Sequence, residues 1–194
     1  AHKYRGSDRL SLTYFGDGAA NQGQVYESFN MAALWQLPVI FIIENNQYAM
    51  GTSLGRGSAQ TDLYRRGESI GIEGVQVDGM DVLAVKAASE RAVAHVRAGK
   101  GPILMEMKTY RYRGHSMSDP AKYRTKEEVQ RVRAEQDPID QLREKILESN
   151  LADEDALKAL DRDVKDIVTE AAEFAQNSPE PDPSELYTDI LMEA

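Results

Sequence analysis

Over the first two thirds of the chain, short apolar runs alternate with stretches in which apolar residues return every three or four positions. Leu10-Ser11-Leu12-Thr13-Tyr14-Phe15 and Pro38-Val39-Ile40-Phe41-Ile42-Ile43-Glu44 are rich in β-branched and aromatic residues and predict strands. Between them Val25, Phe29, Ala32, Ala33 and Leu34 recur at roughly helical spacing, and Pro38 closes the segment. Two strands joined through a helix should run parallel. The pattern then repeats. Val75-Gln76-Val77 predicts a short strand, Asp81 caps a helix whose apolar face includes Val82, Val85, Val93 and Val96, Gly99 stops that helix, and Ile103-Leu104-Met105-Glu106-Met107 predicts a further strand.

After Thr125 the alternation gives way to helices alone. Thr125 and Glu128 form a capping box, and Asp137-Pro138 opens a second helix with Ile139, Leu142 and Ile146 on one face. Leu157, Leu160, Val164, Ile167, Ala171 and Phe174 mark a third. Ser178-Pro179-Glu180-Pro181-Asp182-Pro183 is an extended, helix-incompatible stretch, and the residues after it either drape over a partner or the domain surface or form an acidic solvated tail. The expected organisation is an α/β domain over residues 1–125 and a helical extension with a tail over residues 126–194.

In a parallel sheet the carboxyl ends of the strands share one edge, where open α/β folds bind ligands. Two signatures fall there: Gly16-Asp17-Gly18 and Asn45-Asn46, separated by residues 19–44. Gly16 and Gly18 are expected to adopt backbone angles that a β-carbon would penalise, letting amides approach a phosphate at the helix amino end. Asp17 would repel such an anion unless a cation intervenes, and magnesium, which prefers hard oxygen ligands in octahedral geometry, suits that place. Asn46 offers a neutral carboxamide oxygen to the same ion without adding negative charge. Alone, a Gly-Asp-Gly is usually a turn and an Asn-Asn usually caps a strand, so the weight lies in the pairing. A dinucleotide-binding fold is the nearer rival, with Glu44 placed to grip a ribose hydroxyl, but its third glycine would fall at Asn21. Gly99-Lys100-Gly101 lacks the glycine spacing and the hydroxyl residue of a phosphate loop.

The spacing resembles the thiamine diphosphate signature. Gly16-Asp17-Gly18-Ala19-Ala20-Asn21-Gln22-Gly23-Gln24, Phe29-Asn30-Met31-Ala32-Ala33-Leu34-Trp35 and Glu44-Asn45-Asn46-Gln47-Tyr48-Ala49-Met50-Gly51-Thr52-Ser53 are similar to the alpha subunits of the pyruvate dehydrogenase component of 2-oxo acid dehydrogenase complexes. So are Tyr110-Arg111-Tyr112-Arg113-Gly114-His115-Ser116-Met117-Ser118-Asp119-Pro120 and the tail around Tyr187-Thr188-Asp189-Ile190, which extends the likeness over nearly the whole chain. The resemblance implies a parallel-sheet thiamine diphosphate-binding fold. It implies Asp17 and Asn46 as magnesium ligands through their side chains, Tyr48 through its carbonyl, and the amides of Gly18 and Ala19 facing the diphosphate.

His115 lies in a loop of arginines, tyrosines and serines directly after a strand, and imidazole exchanges protons near neutrality. Composition alone leaves a chance histidine in a basic loop as good a reading as catalysis. By the resemblance, this histidine stands beside the cofactor and assists acyl transfer to the lipoyl arm. His95, near a helix end, and His2 are given no role. Ser53 and Ser116 match positions phosphorylated in mitochondrial members of the family, but a third such position falls in Ala121-Lys122-Tyr123, which has no serine, and both are read as structural.

The resemblance further implies oxidative decarboxylation of pyruvate with transfer of the acetyl group to lipoyl on the acyltransferase. The glutamate that activates the aminopyrimidine would come from a beta subunit in an α2β2 heterotetramer, and an upstream segment of the same subunit is expected before Ala1. Alternatives are the alpha subunit of acetoin dehydrogenase or of another 2-oxo acid dehydrogenase, from which Tyr112, Met117 and Pro120 lean away, and a noncatalytic assembly module of the same fold. A net charge of −9 argues against nucleic acid as a partner. No apolar span has the length a membrane requires. The chain has no cysteine, hence no thiol nucleophile and no cysteine-held metal, which suits a reducing compartment. Bacterial cytoplasm or mitochondrial matrix is the expected location, the former preferred.

Overall fold

A computed structural model describes residues 1–189. Residues 190–194, with Ile190 of the tail motif, lie outside the described residues. The chain separates into two compact units, Ala1–Leu142 and residues 143–194.

The first unit is built on strands β1 (Ser11–Gly16), β2 (Val39–Asn45), β5 (Glu73–Asp78) and β6 (Ile103–Lys108), joined in the order β1-β2-β6-β5, every pair parallel. Helix α1 (Gly23–Leu34) connects β1 to β2, and α3 (Val82–Arg97) connects β5 to β6. Between β2 and β5 lie a two-residue hairpin, β3 (Tyr48–Ala49) with β4 (Thr52–Ser53), the single turn α2 (Leu54–Gly57) and a 3₁₀ segment, Leu63–Ile70.

The central strands β2 and β6 are apolar on both faces, as a parallel sheet covered on both sides requires. Alternate residues of β2 serve opposite cores. Phe41 and Ile43 join Phe29, Ala32, Leu63 and Leu104 on one face, and Ile40 and Ile42 join Ala88, Ala92, Val96 and Met105 on the other. Phe29 of α1 meets Phe41 edge to face with ring centroids 4.7 Å apart. At the edge strand β1 the apolar face is only partly covered, and Leu12 and Tyr14 are exposed.

Helix α3 starts where expected. The Asp81 carboxylate accepts from the amides of Leu83 and Ala84, and Gly99, at φ +73°, follows the last turn. Its buried face is Ala88, Ala92 and Val96, flanked by Val85 and Val93, whereas Val82, at the first turn, is exposed. Leu34, at the last turn of α1, is also exposed.

Helices α4 (Lys126–Gln136), α5 (Pro138–Glu148) and α6 (Glu154–Asn177) follow. Thr125 caps α4 through its hydroxyl, which accepts from the Glu128 amide at 3.0 Å. The reciprocal half of a capping box is missing, because the Glu128 carboxylate accepts instead from the Tyr110 hydroxyl at 2.7 Å and from the Tyr48 hydroxyl at 3.3 Å. Helix α4 is thereby tied to β3 and to the end of β6. Ile139, expected on an apolar face, is exposed. In the second unit Asp153 caps α6, whose stripe of Leu160, Val164, Ile167 and Phe174 is exposed. Among the described residues no helix is long and apolar enough to cross a membrane.

Candidate cofactor site

The parallel sheet brings both signatures to one edge, with Gly16 in register with Glu44. Asp17, one residue past β1, is 3% exposed. Burial is the largest influence on its carboxyl group and raises its pKa. Its own amide, the Arg111 charge and the Asn46 amide act in the opposite direction. The Asp17 carboxylate therefore sits against the backbone of the second signature, within the field of a guanidinium from a third segment.

Glycine serves here in a different way from that expected of it. Gly18 has ordinary right-handed angles, φ −66° and ψ −46°, and Gly16 is not among the positive-φ residues. What Gly18 permits is contact, since a β-carbon there would lie 2.6 Å from the Ala49 Cβ. Ala49 adjoins Tyr48, so this close approach presses the Gly-Asp-Gly turn onto the hairpin that carries the expected third oxygen. At Gly16 a β-carbon would meet nothing within 4 Å, which leaves open space beside the turn. The 3₁₀ turn Ala19–Asn21 begins directly after Gly18, and the first amides of such a turn have no carbonyl within it to bond.

Beyond β2 the backbone reverses sharply. Gln47 and Met50 are left-handed, at φ +75° and +53°. The Asn46 carboxamide oxygen accepts from the Tyr48 amide at 3.2 Å, an Asx turn that keeps this oxygen beside the Tyr48 backbone. The Tyr48 carbonyl accepts from Arg111 Nη1 at 3.0 Å, leaving its second lone pair. A cleft of about 470 Å³ at this edge is lined by Tyr14, Glu44, Asn46, Thr109, Tyr110 and Arg111, among others.

His115 is exposed on the following loop. Its amide donates to Asp119 Oδ2 at 2.7 Å, and the same oxygen accepts from the Tyr123 hydroxyl at 2.8 Å. These donors, together with the Ala121 amide, hold the Asp119 carboxyl at about 2, well below the usual carboxylate value. Arg124 is buried beneath the loop, its guanidinium 5.4–5.7 Å from the ring centroids of Tyr48, Tyr110 and Tyr123, and it donates to the carbonyls of Arg111 and Arg113. The burial of Tyr110 and its bond to Glu128 push that phenol up to about 12. The structure thus joins Asp17, Gly18, Asn46 and Tyr48 at one edge, and ties the His115 backbone to it through Asp119, Tyr123 and Arg111. The sequence reading gave no role to Arg124, Asp119 or Tyr123, whose places are set by contacts across the loop with Arg111, Arg113 and His115.

The donor set fits a hard divalent cation: one carboxylate, one carboxamide oxygen and one main-chain carbonyl. Among the described residues there is no group of three or more His, Cys, Asp or Glu side chains that could hold a metal alone. A cation here would therefore need further oxygens from an anionic ligand or water, and it would compensate a carboxylate that the fold has buried.

Fold and site together define an α/β protein whose parallel sheet gathers a buried carboxylate, a carboxamide oxygen and a main-chain carbonyl at its carboxyl edge. The family model described as "Dehydrogenase E1 component" matches residues 1–184, and the chain belongs to that family. It is 68% identical over 192 residues to the "Pyruvate dehydrogenase E1 component subunit alpha" of Rhizobium meliloti (strain 1021), covering 99% of this chain and 55% of that protein. It is 57% identical over 192 residues to the protein of the same name from Zymomonas mobilis, covering 99% of this chain and 54% of that protein. The "Pyruvate dehydrogenase E1 component subunit alpha, somatic form, mitochondrial" of Bos taurus is 56% identical over 187 residues, covering 96% and 47%. The chain spans about half the length of these relatives.

Proposed function

We propose that this chain forms the diphosphate- and magnesium-binding part of the alpha subunit of a pyruvate dehydrogenase E1 component. In this reading the enzyme decarboxylates pyruvate oxidatively and passes the acetyl group to a lipoyl group of the dihydrolipoamide acyltransferase. The observation that carries the reading is the convergence of a buried Asp17 carboxylate with Asn46 and the Tyr48 carbonyl at one sheet edge, in a chain of the E1 family.

Asp17 and Asn46 hold magnesium through side-chain oxygens and Tyr48 through its carbonyl, while the amides of Gly18 and Ala19, with the space beside Gly16, receive the diphosphate. Thiamine diphosphate supplies the electron sink for decarboxylation when bound. His115 moves a proton at its imidazole during acetyl transfer to lipoyl. The buried acid needed at the pyrimidine end of the cofactor comes from the beta subunit, giving an α2β2 assembly. We place the activity in the bacterial cytoplasm rather than the mitochondrial matrix, supported by 68% identity to a bacterial relative against 56% to the bovine one.

Calorimetric titration of the complete subunit, assembled with its beta partner, tests this. Thiamine diphosphate should bind tightly only with magnesium present, and Asp17→Ala should abolish the dependence. Binding without regard to metal would favour a noncatalytic module. Turnover of pyruvate, acetoin and branched-chain 2-oxo acids by the same complex then distinguishes the substrate, with pyruvate expected to be preferred.

A further inference from the structure

Glu106 occupies the middle of β6, in register with Ile43 of β2 on one side and Gln76 of β5 on the other, and its residue exposure is 0%. Its strand neighbours Leu104, Met105 and Met107 are all buried and apolar. An acid at the centre of a sheet is unfavourable unless its oxygens are satisfied. Here they are: Oε1 accepts from Asn45 Nδ2 at 2.6 Å, and Oε2 accepts from the Tyr64 amide at 3.0 Å and from Gln76 Nε2 at 3.1 Å. All three partners are neutral N–H donors, so both oxygens of Glu106 serve as acceptors.

This acid removes an ambiguity. A carboxamide such as that of Asn45 can present either its oxygen or its NH₂ group in a given direction. With Glu106 Oε1 accepting on one side and the Gln47 backbone N–H donating on the other, Asn45 turns its NH₂ toward Glu106 and its oxygen toward Gln47. There it accepts from the Gln47 amide at 3.2 Å and from Gln47 Nε2 at 3.3 Å. Gln47 is the left-handed residue between Asn46 and Tyr48. The Asn45 carbonyl also accepts from the Thr109 amide at 2.8 Å, tying the same residue to the end of β6.

We propose that Glu106 is a positioning residue for the cation: by fixing the Asn45 carboxamide it holds Gln47 in the left-handed turn that points the Asn46 oxygen and the Tyr48 carbonyl to one place. This rests on the magnesium cradle proposed above. A glutamine at 106 could donate as well as accept. Asn45 could then turn over and set its NH₂ against the Gln47 amide, releasing the turn.

The test titrates magnesium calorimetrically, at saturating thiamine diphosphate, into the complete subunit assembled with its beta partner, with thermal unfolding recorded for each variant. Glu106→Gln should raise the magnesium Kd about tenfold or more, the scale on which groups that orient metal ligands act. Its kcat at saturating magnesium should change far less. Adding Asn45→Asp should restore affinity, because the two side chains then exchange chemistry. The carboxamide introduced on β6 would donate to the carboxylate introduced on β2 and accept from Tyr64 and Gln76, while that carboxylate accepts from Gln47. A folded Glu106→Gln variant with unaltered magnesium affinity overturns the proposal. If that variant does not fold, the double variant decides: folded with wild-type affinity supports the proposal, and folded with weakened affinity, or unfolded, overturns it. A wild-type complex that binds thiamine diphosphate equally with and without magnesium defeats the cradle itself, an outcome distinct from a failure at Glu106 alone.

Discussion

The Arg111 guanidinium donates to the Tyr48 carbonyl at 3.0 Å, joining the loop of His115 to an expected cation ligand. The same group reaches the Met50 carbonyl and the Tyr123 hydroxyl at 2.7 and 2.8 Å, and its Nε donates to the Arg113 carbonyl at 3.1 Å. One side chain thus spans the β3–β4 hairpin, the start of the loop and its far end. Only a planar, multi-donor cation can hold that many acceptors at once.

Arg111→Lys keeps the charge and loses this geometry. Each lost bond to a charged donor is worth about 1.5–3 kcal/mol where buried and less where exposed, so the loop should open well before the sheet does. Hydrogen exchange should show residues 113–121 losing protection while β2 and β6 keep theirs. Unchanged loop protection would show that the anchoring lies elsewhere, with Arg124 the remaining candidate.

Asp119 gives the loop a pH dependence of defined sign. Its carboxyl is held at about 2, against an ordinary value of 3.8, chiefly by the His115 and Ala121 amides and the Tyr123 hydroxyl. A depressed acid contributes its stabilisation fully above the unfolded value and loses it as pH falls through the folded one. Protection of the His115 amide should therefore be constant above about pH 4 and decline between about 4 and 2. In Asp119→Asn it should be weak throughout and without that slope.

Asp17 has the opposite sign. Burial raises its pKa, so the metal-free fold binds a proton there more tightly than the unfolded chain does. Stability of the metal-free protein should fall as pH rises from the ordinary carboxylate value through the raised one, and stay flat above. Asp17→Asn removes the buried charge and should raise the stability of the metal-free protein at neutral pH while destroying magnesium-dependent cofactor binding. Thermal unfolding and calorimetry read the two effects separately, and a destabilised Asp17→Asn variant would contradict the idea that burial is the dominant strain on this group.

Local chemistry made much of this legible beforehand. The β-branched runs marked the strands, Asp81 and Thr125 announced helix starts with their own side chains, and Asp17 and Asn46 were placed by the end of a strand on each side of α1. What stayed hidden depends on distant partners. Glu106 reads as one polar letter in an apolar strand until β2, β5 and the 3₁₀ segment Leu63–Ile70 close over it. Glu128 carries the pattern of a capping box, but its carboxylate accepts from two phenols, of Tyr48 and Tyr110, in place of the Thr125 amide. Gly18 reads as a residue of unusual backbone angle, yet its requirement is set by the methyl group of Ala49 across the turn.

That contact is testable by exchange. Gly18→Ala would set two β-carbons 2.6 Å apart, and overpacking of this kind costs about 1–3 kcal/mol. Ala49→Gly removes the obstacle, so the double variant should regain most of the loss in Tm. Additive losses would mean that the turn and the hairpin do not touch.

His115→Ala separates scaffold from chemistry, because the loop holds this residue by its main chain. Asp119 grips the His115 amide, and the imidazole itself is exposed, so removing the ring leaves the anchor in place. Cofactor affinity and loop protection should stay near wild type. Acetyl transfer to the lipoyl domain should drop by about 10²–10⁴-fold, the usual contribution of a positioned proton-transfer group. Pyruvate decarboxylation followed with an artificial electron acceptor should fall much less, since it bypasses the lipoyl step. Equal losses in both assays would assign His115 to cofactor placement instead, and no loss in either would remove it from the site.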